Sequence, residues 1–300
     1  MSSSPRRMVR TPGSLPVGSL LGVPVRVSAT TAILVAVLTL ALVPRLHEES
    51  PGLGPGVYLV GVGIGVLVYG AVLVHELAHA VLARRYGHDV DSITLSLVGG
   101  RTAVTGEAAS PREEFATAVV GPLASLVLGA AALGLRVLLG DGALSVALEV
   151  IVLANLILGL LDLVPAPPMD GGRLVKAVAW RVTGSPRRGA VVSAYGGRIV
   201  AVGVLLLTLL VMPRIQEEST ITDTVLGVAV ALLLWTMATH ELTVSRLRLQ
   251  VGGVVVRDLA RRTLTVPLDM PLAEAIRRAG EAEAPGLVTA DSRGTIVGVV

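Results

Sequence analysis

The sequence predicts an α-helical polytopic membrane protein: six transmembrane helices, a small membrane-associated β-hairpin or sheet, and a C-terminal partial α/β domain. Three observations carry that fold class. Of 300 residues, 52% are hydrophobic and 16% charged, whereas an ordinary soluble domain is about a quarter charged. Six apolar runs, at roughly 28–44, 56–83, 115–139, 144–164, 191–212 and 223–244, have the length that a helix needs to cross about 30 Å of hydrocarbon. The arginines gather at alternate ends of these runs.

That alternation sets the expected topology. Arg6, Arg7 and Arg10 precede the first run, and Arg84 and Arg85 follow the second. Arg173, Lys176, Arg181, Arg187 and Arg188 lie between the fourth and fifth, and Arg246 and Arg248 follow the sixth. Positive charge is retained on the cytoplasmic side, so both termini are expected there, in the plasma membrane of a bacterium. The intervening loops carry Glu48, Glu49, Glu217 and Glu218 with only Arg45 and Arg214 as cations. The net charge of +3 is spent on this pattern and forms no dense basic face, so nucleic acid is not an expected partner. The basic start lacks an apolar core with a cleavage site, so no removable leader is read.

The expected organisation is an N-terminal cytoplasmic tail over 1–20, a six-span membrane domain over 21–248 and a partial soluble domain over 249–300. Within the membrane domain, residues 89–109 alternate as strands around Gly99-Gly100 and predict a hairpin. Gly61 and Gly65 have the G-x-x-x-G spacing of close helix packing. The tail reads as strand (Val254 to Val256), amphipathic helix (Leu272 to Ala279), then two strands (286–289 and 295–300) flanking the turn Asp291-Ser292-Arg293-Gly294. A last strand without its cover is expected to be completed by further chain or by a partner.

The second run contains His75-Glu76-Leu77-Ala78-His79. On a helix, residues i and i+4 stand one above the other, so both imidazoles can reach one Zn²⁺, with Glu76 beside them to act on water. Ionisable groups inside an apolar span are expensive and usually functional, which weighs against a chance pattern. If Arg84 marks the interface, His79 lies about 8 Å and His75 about 13 Å inside the membrane. The chain has no cysteine, so any metal must sit on histidines and carboxylates. A catalytic zinc keeps three protein ligands and an open position. Asp170, in Leu163-Val164-Pro165-Ala166-Pro167-Pro168-Met169-Asp170-Gly171-Gly172-Arg173, is the candidate third ligand. Taken alone, an Asp before Gly-Gly reads as a turn residue. The pairing with His75 and His79 turns it toward metal.

HELAH at 75–79 and LVPAPPMDGGR at 163–173 resemble the paired motifs of the site-2 protease (M50) family of intramembrane zinc metalloproteases. The likeness extends to GVPVR at 22–26, to Gly121-Pro122-Leu123 and to Gly197-Arg198. It implies one Zn²⁺ per chain on His75, His79 and Asp170, with Glu76 as general base. It also implies a single-span membrane protein as substrate, such as a membrane-tethered anti-sigma factor, cut within the lipid bilayer. One position departs from the family pattern. Where an asparagine is usual, eight residues before the metal aspartate, this chain has Asp162. An amide could donate to substrate or to a developing oxyanion; an ionised Asp162 could not, and a neutral one could. Asn155, seven residues earlier on nearly the same helix face, is a substitute donor or simply a helix-packing residue. Gly99 and Gly100 are candidates for a strand that holds substrate extended.

The tail, VVVRDLARRTLTVPLDMPLAEAIRRA at 254–279 and GLVTADSRGTIVGVV at 286–300, resembles the start of a CBS domain. That likeness implies homo-oligomer contacts and adenine nucleotide binding only where a complete pair of such domains is present. Two other readings compete for the membrane domain. A divalent-cation transporter would use His75, His79 and Asp170 as a transit site but has no need of Glu76. A catalytically impaired zinc-binding regulator is suggested by Asp162 alone.

Overall fold

The computed structural model describes residues 13–97, 99–215, 221–251, 263–291 and 294–299. Two units are described separately, one ending at Arg246 and one beginning at Leu247. The N-terminal arginines Arg6, Arg7 and Arg10, the side chain of Arg248 and the expected strand at Val254 to Val256 lie outside the described residues.

Six helical stretches of the first unit are long and apolar enough to cross a membrane: Thr30–Glu49, Pro51–Arg85, Pro111–Leu138, Ala143–Asp162, Pro186–Arg214 and Ile221–Leu247. The protein is accordingly a multi-pass membrane protein. The six predicted runs fall on these stretches, with ends displaced by a few residues. Helix α1 (Thr30–Glu49) leads through a 3-10 turn (Pro51–Gly56) into α2 (Val57–Arg85). α3 (Pro111–Leu138) and α6 (Pro186–Leu206) begin alike: the hydroxyls of Ser110 and Ser185 accept the backbone N–H of Glu113 and Arg188, and proline takes the first helical position. Proline has no N–H to leave unsatisfied there, and its fixed φ suits the helix. α4 (Ala143–Asp162) follows α3. α6 continues through a π-turn (Leu207–Val211) into α7 (Met212–Ile215), and α8 (Ile221–Val251) closes the unit. Large apolar side chains stand exposed along these helices, among them Leu59, Val137 and Ile199, as a lipid-facing surface requires.

Gly61 and Gly65 lie against α1, where a Cβ would stand 2.7 Å from Thr39 Cγ2 and 3.0 Å from Val35 Cγ1. Their missing side chains set the close approach of α1 and α2.

The expected hairpin is present as β3 (Asp89–Ser96) and β4 (Gly99–Thr105), paired antiparallel with Ser96 opposite Gly99. It is half of a larger sheet. β1 (Ser14–Leu20) and β2 (Val23–Ser28) form a second hairpin, and β2 runs parallel to β3, giving the order β1-β2-β3-β4. Residues 14–20, expected as tail, are therefore an edge strand. The sequence hid it because β1 contains Pro16 and Gly18, which argue against a strand, and because its turn is Leu21-Gly22. Both turn residues have positive φ, which for leucine is strained. Arg84 donates to the carbonyls of Leu21, at 2.5 Å, and Gly22, at 2.9 Å, holding that turn. The basic end of α2 thus serves the sheet. Val23, Ile93 and Leu95 pack with Tyr69, Ala80 and Ala83 of α2, so the sheet sits on the helix that bears the histidines.

A helix absent from the sequence reading follows the proline-rich segment. α5 (Asp170–Thr183) begins at the aspartate itself and is stopped by Gly184, whose φ of 69° is left-handed and whose N–H reaches Trp180 O at 2.8 Å. Its polar face disqualifies it as a span. Arg173 and Lys176, read as topology charges, form ion pairs with Glu114.

The second unit contains β5 (Thr263–Pro267), α9 (Leu272–Glu281), β6 (Gly286–Ala290) and β7 (Ile296–Val299), in the strand order β5-β6-β7. β5 and β6 are parallel, and β6 and β7 antiparallel. Its core is Val266, Ala275, Ala279 and Leu287.

Candidate active site

Helix periodicity puts His75 and His79 on one face of α2, and both are buried among helices α3, α4 and α5. Their Nε2 atoms are 3.0 Å apart. Asp170, in the first turn of α5, brings Oδ2 to 2.9 Å from His79 Nε2 and 3.5 Å from His75 Nε2. One donor atom from each of His75, His79 and Asp170 lies within 4.8 Å of the others. A tetrahedral ion bound at about 2.0–2.2 Å separates its ligands by roughly 3.3–3.6 Å; one of the three separations lies in that range and two are a few tenths of an ångström shorter, so the trio can hold a single metal ion with a small outward adjustment.

The outer nitrogens confirm which atoms face the centre. His79 Nδ1 lies 2.6 Å from the Thr117 carbonyl, which can only accept, so Nδ1 carries the proton and Nε2 offers its lone pair. His75 Nδ1 lies 3.0 Å from Ser125 Oγ. Both partners are on α3. The same helix gives way at Gly121, where a Cβ would stand 2.1 Å from His79 Nε2 and 2.6 Å from His75 Nε2. The space in front of the imidazoles exists because that residue has no side chain.

Asp170 is held from behind. Arg173 donates from Nη1 to Asp170 Oδ1 at 3.1 Å, from Nε to Glu114 Oε1 at 3.1 Å and from Nη2 to Thr117 Oγ1 at 3.1 Å. Lys176 Nζ stands 3.3 Å from Glu114 Oε2. With Oδ1 engaged by the guanidinium, Oδ2 is the oxygen left for the histidines. Gly171 and Gly172 permit the tight return of chain after the prolines, since Cβ atoms there would stand 2.2 Å from Val164 O and 2.7 Å from Pro167 N.

Glu76 is buried beside the trio, and Thr102 of β4 donates to its Oε2 at 2.5 Å and to its carbonyl at 3.1 Å. Gly100 fits against it, where a Cβ would stand 2.4 Å from Glu76 Cγ. A cavity of about 550 Å³ joins these groups, lined among others by Glu76, Gly99, Gly100, Thr102, Asp162 and Asp170. It extends past the end of α2 to His88, Glu107 and Lys176, which gives water a protein-lined path.

The structure therefore gathers His75, Glu76, His79, Asp170, Asp162, Gly99 and Gly100 around one cavity. Asn155 is not among the lining residues. It is fully buried against α3 at Gly129, and its Nδ2 donates to Ile151 O at 2.8 Å, so its amide N–H serves its own helix. Asp162 does reach the centre, with Oδ2 3.6 Å from His75 Nε2. Thr102, Glu114, Thr117 and Ser125 were invisible as site residues, and Gly121 entered only as part of the family likeness. They act on the ligands from other elements, and no local spacing announces that role.

Comparison with known proteins gives the same direction. The family profile described as Peptidase family M50 matches residues 63–141 and 139–209, so the part of the chain that carries both motifs has M50 family sequence. Rip3 of Mycobacterium tuberculosis, named for zinc metalloprotease activity, is 39% identical over 201 residues, 65% of this chain and 51% of that protein. A Synechocystis protein similarly named is 32% identical over 198 residues, 63% of this chain and 52% of its own. A zinc metalloprotease of Methanocaldococcus jannaschii is 32% identical over 149 residues, 49% of this chain and 43% of its own. The chain spans about half the length of these curated relatives. Among solved structures, the site-2 protease from Methanocaldococcus jannaschii aligns with a TM-score of 0.48 and 24% identity, over 76% of this chain and 95% of that one.

Proposed function

Taking the M50 peptidase sequence of residues 63–209 as the premise, we propose that this protein is a zinc metalloendopeptidase that hydrolyses peptide bonds of membrane-embedded substrates. The observation that carries the reading is the convergence of His75, His79 and Asp170 donors within 4.8 Å of one another, beside a buried glutamate in a water-accessible cavity. His75, His79 and Asp170 would hold Zn²⁺. When bound, the ion supplies a Lewis acid that acidifies water and polarises a carbonyl.

The chain's own residues supply the rest. Glu76 takes the proton of the attacking water and delivers it to the departing amide nitrogen. Thr102, which donates to Glu76 Oε2, fixes the carboxylate at the wall of the cavity. β4 is the last strand of its sheet, and an unwound substrate can add to it as a further strand, bringing its carbonyl past Gly100 toward Glu76. A transmembrane helix hides its carbonyls in its own hydrogen bonds, so this extended capture is what exposes the scissile bond. The substrates are single-span, membrane-tethered regulators, and the cavity opens to the side on which Arg84 and Arg85 lie, which we read as cytoplasmic. The C-terminal unit, with its likeness to the start of a CBS domain, is read as a regulatory appendage.

The test is reconstitution of the purified protein in liposomes with single-span substrates. Glu76→Gln should abolish cleavage while metal content stays at the wild-type level. Cleavage by Glu76→Gln at the wild-type rate would remove Glu76 as general base, and with it the assignment of the cleavage to this site. Zn²⁺ flux through the liposomes without any cleavage would favour a transporter.

A further inference from the structure

The β1–β2 hairpin has two sides of opposite character. In β2, Val23, Val25 and Val27 point to one side and Pro24, Arg26 and Ser28 to the other, and the valine side is the one packed on α2. β1 adds Leu15, opposite Val27, and Leu20, opposite Val23, to the valine side; Pro16 and Ser19, opposite Arg26 and Pro24, join the other. Five residues apart, Leu15 and Leu20 would point to opposite sides of a regular strand. The register shift between Pro16 and Gly18 inserts one residue and brings both leucines to the same side.

That side is covered beneath β2 and β3 but uncovered beneath β1. Val23 and Ile93 are 1% and 0% exposed, whereas Leu15 is 71% and Leu20 45% exposed, and Leu21 in the turn is 71% exposed. Three observations say what meets these leucines. At one end of the hairpin, Arg84 holds the Leu21-Gly22 turn against the basic end of a membrane-crossing helix, the level at which anionic headgroups lie. At the other end, β2 leads within two residues into α1, a second membrane-crossing helix, on which Ile33, Val37 and Leu40 stand exposed along one face. The uncovered leucines therefore continue a lipid-facing surface. Finally, β1 is built to refuse another strand: Pro16 has no N–H to offer, the register is broken beside it, and Arg26 Nη2 donates to the Ser14 carbonyl at 2.9 Å.

We propose that the apolar side of the β1–β2 hairpin rests in the acyl-chain boundary of the leaflet on the Arg84 side, with Leu15, Leu20 and Leu21 against lipid tails and Ser19 facing water. An amphipathic element of this kind lies in the plane of the interface. At that boundary water still reaches the edge of β1, as unpaired backbone requires. The hairpin is then a second attachment of the sheet to the membrane, besides its packing on α2. This lipid contact does not depend on the peptidase reading. Under that reading, one edge of the sheet belongs to lipid and β4 is the edge left for a substrate strand.

The chain has no cysteine, so single cysteines report cleanly. Leu15→Cys, Leu20→Cys, Ser19→Cys and, as a lipid-facing reference on α1, Ile33→Cys are made in the full chain and labelled with an environment-sensitive fluorophore. Each protein is reconstituted in vesicles of phosphatidylcholine and phosphatidylglycerol. All four replace exposed side chains, and only labelled proteins with the wild-type melting temperature are compared. Emission from positions 15 and 20 should be blue-shifted relative to position 19, lost to lipids spin-labelled on the acyl chain as it is at position 33, and insensitive to aqueous iodide. Position 19 should show the reverse. Iodide quenching at 15 and 20 equal to that at 19 overturns the proposal, because the leucines then face water. Shielding of 15 and 20 from both quenchers overturns it too, because protein then covers them, a second copy if the shielding falls as the protein is diluted in lipid. Equal loss to spin-labelled lipid at 15, 19 and 20 refutes the two-sided hairpin.

Discussion

Gly121 backs directly onto His79: a Cβ on this residue would stand 2.1 Å from His79 Nε2. Nothing flexible can yield there, because the atom met is the one that faces the metal and the backbone belongs to a packed membrane helix. Gly121→Ala should therefore lose metal binding by about 100-fold or more although no ligand has been changed. Chelator competition on the purified variant measures it. Wild-type affinity would mean that α3 can retreat and that the cradle is not as rigid as its packing implies.

Arg173 orients Asp170 without touching the histidines, since its Nη1 occupies Oδ1 and leaves Oδ2 to the site. Arg173→Ala should weaken Zn²⁺ binding by about 10–100-fold, the range found when partners behind metal ligands are removed. Arg173→Lys keeps the charge but loses the fork that reaches Glu114, Asp170 and Thr117 together. Its affinity should fall between alanine and wild type. Equal affinities for lysine and wild type would reduce the role of Arg173 to charge alone.

Glu76 is shaped by β4 rather than by its own helix. Thr102→Val removes the hydroxyl that donates to Oε2, and Gly100→Ala places a methyl where the Glu76 side chain now lies. Each should lower kcat, by about tenfold for the first and more for the second, while zinc content is unchanged. Metal analysis alongside turnover separates these variants from ligand losses. A rise in KM with constant kcat would instead place β4 in substrate binding alone.

How far the sequence disclosed this site depends on whether the information was local. His75, Glu76 and His79 share one turn of one helix, so their spacing states their chemistry. Asp170 needed the proline-glycine context and a resemblance to join a helix more than 90 residues away, 95 by number from His75. The sheet was half legible: Asp89–Ser96 and Gly99–Thr105 alternate cleanly, whereas Ser14–Leu20 holds a proline and two residues later a glycine. α5 was missed because Arg173 and Lys176 there satisfy Glu114 of α3 across helices, a relationship that periodicity does not encode. Asn155 lay on a plausible helix face, but its position at Gly129 shows that a face alone does not decide which neighbour a side chain meets.

The rim of the cavity carries a pH-sensitive contact. His88 Nε2 meets Glu113 Oε1, and that hydrogen bond, ahead of the opposing effect of burial and the added attraction of the same carboxylate, raises the imidazole above its ordinary value of 6.5. A histidine whose folded value is raised contributes stability that is fully present below about 6.5 and is lost as pH climbs through the raised value. Glu113 Oε2 also accepts the Ala109 N–H at 3.0 Å, so the pair pins the loop between β4 and α3 to the end of α2. The melting temperature of wild type should therefore exceed that of His88→Gln at acid pH, with the difference shrinking steadily on the alkaline side. Glutamine keeps a donor but cannot charge, so a difference independent of pH would assign the contact to hydrogen bonding alone, and a difference that grows with pH would reverse the sign and refute the ion pair.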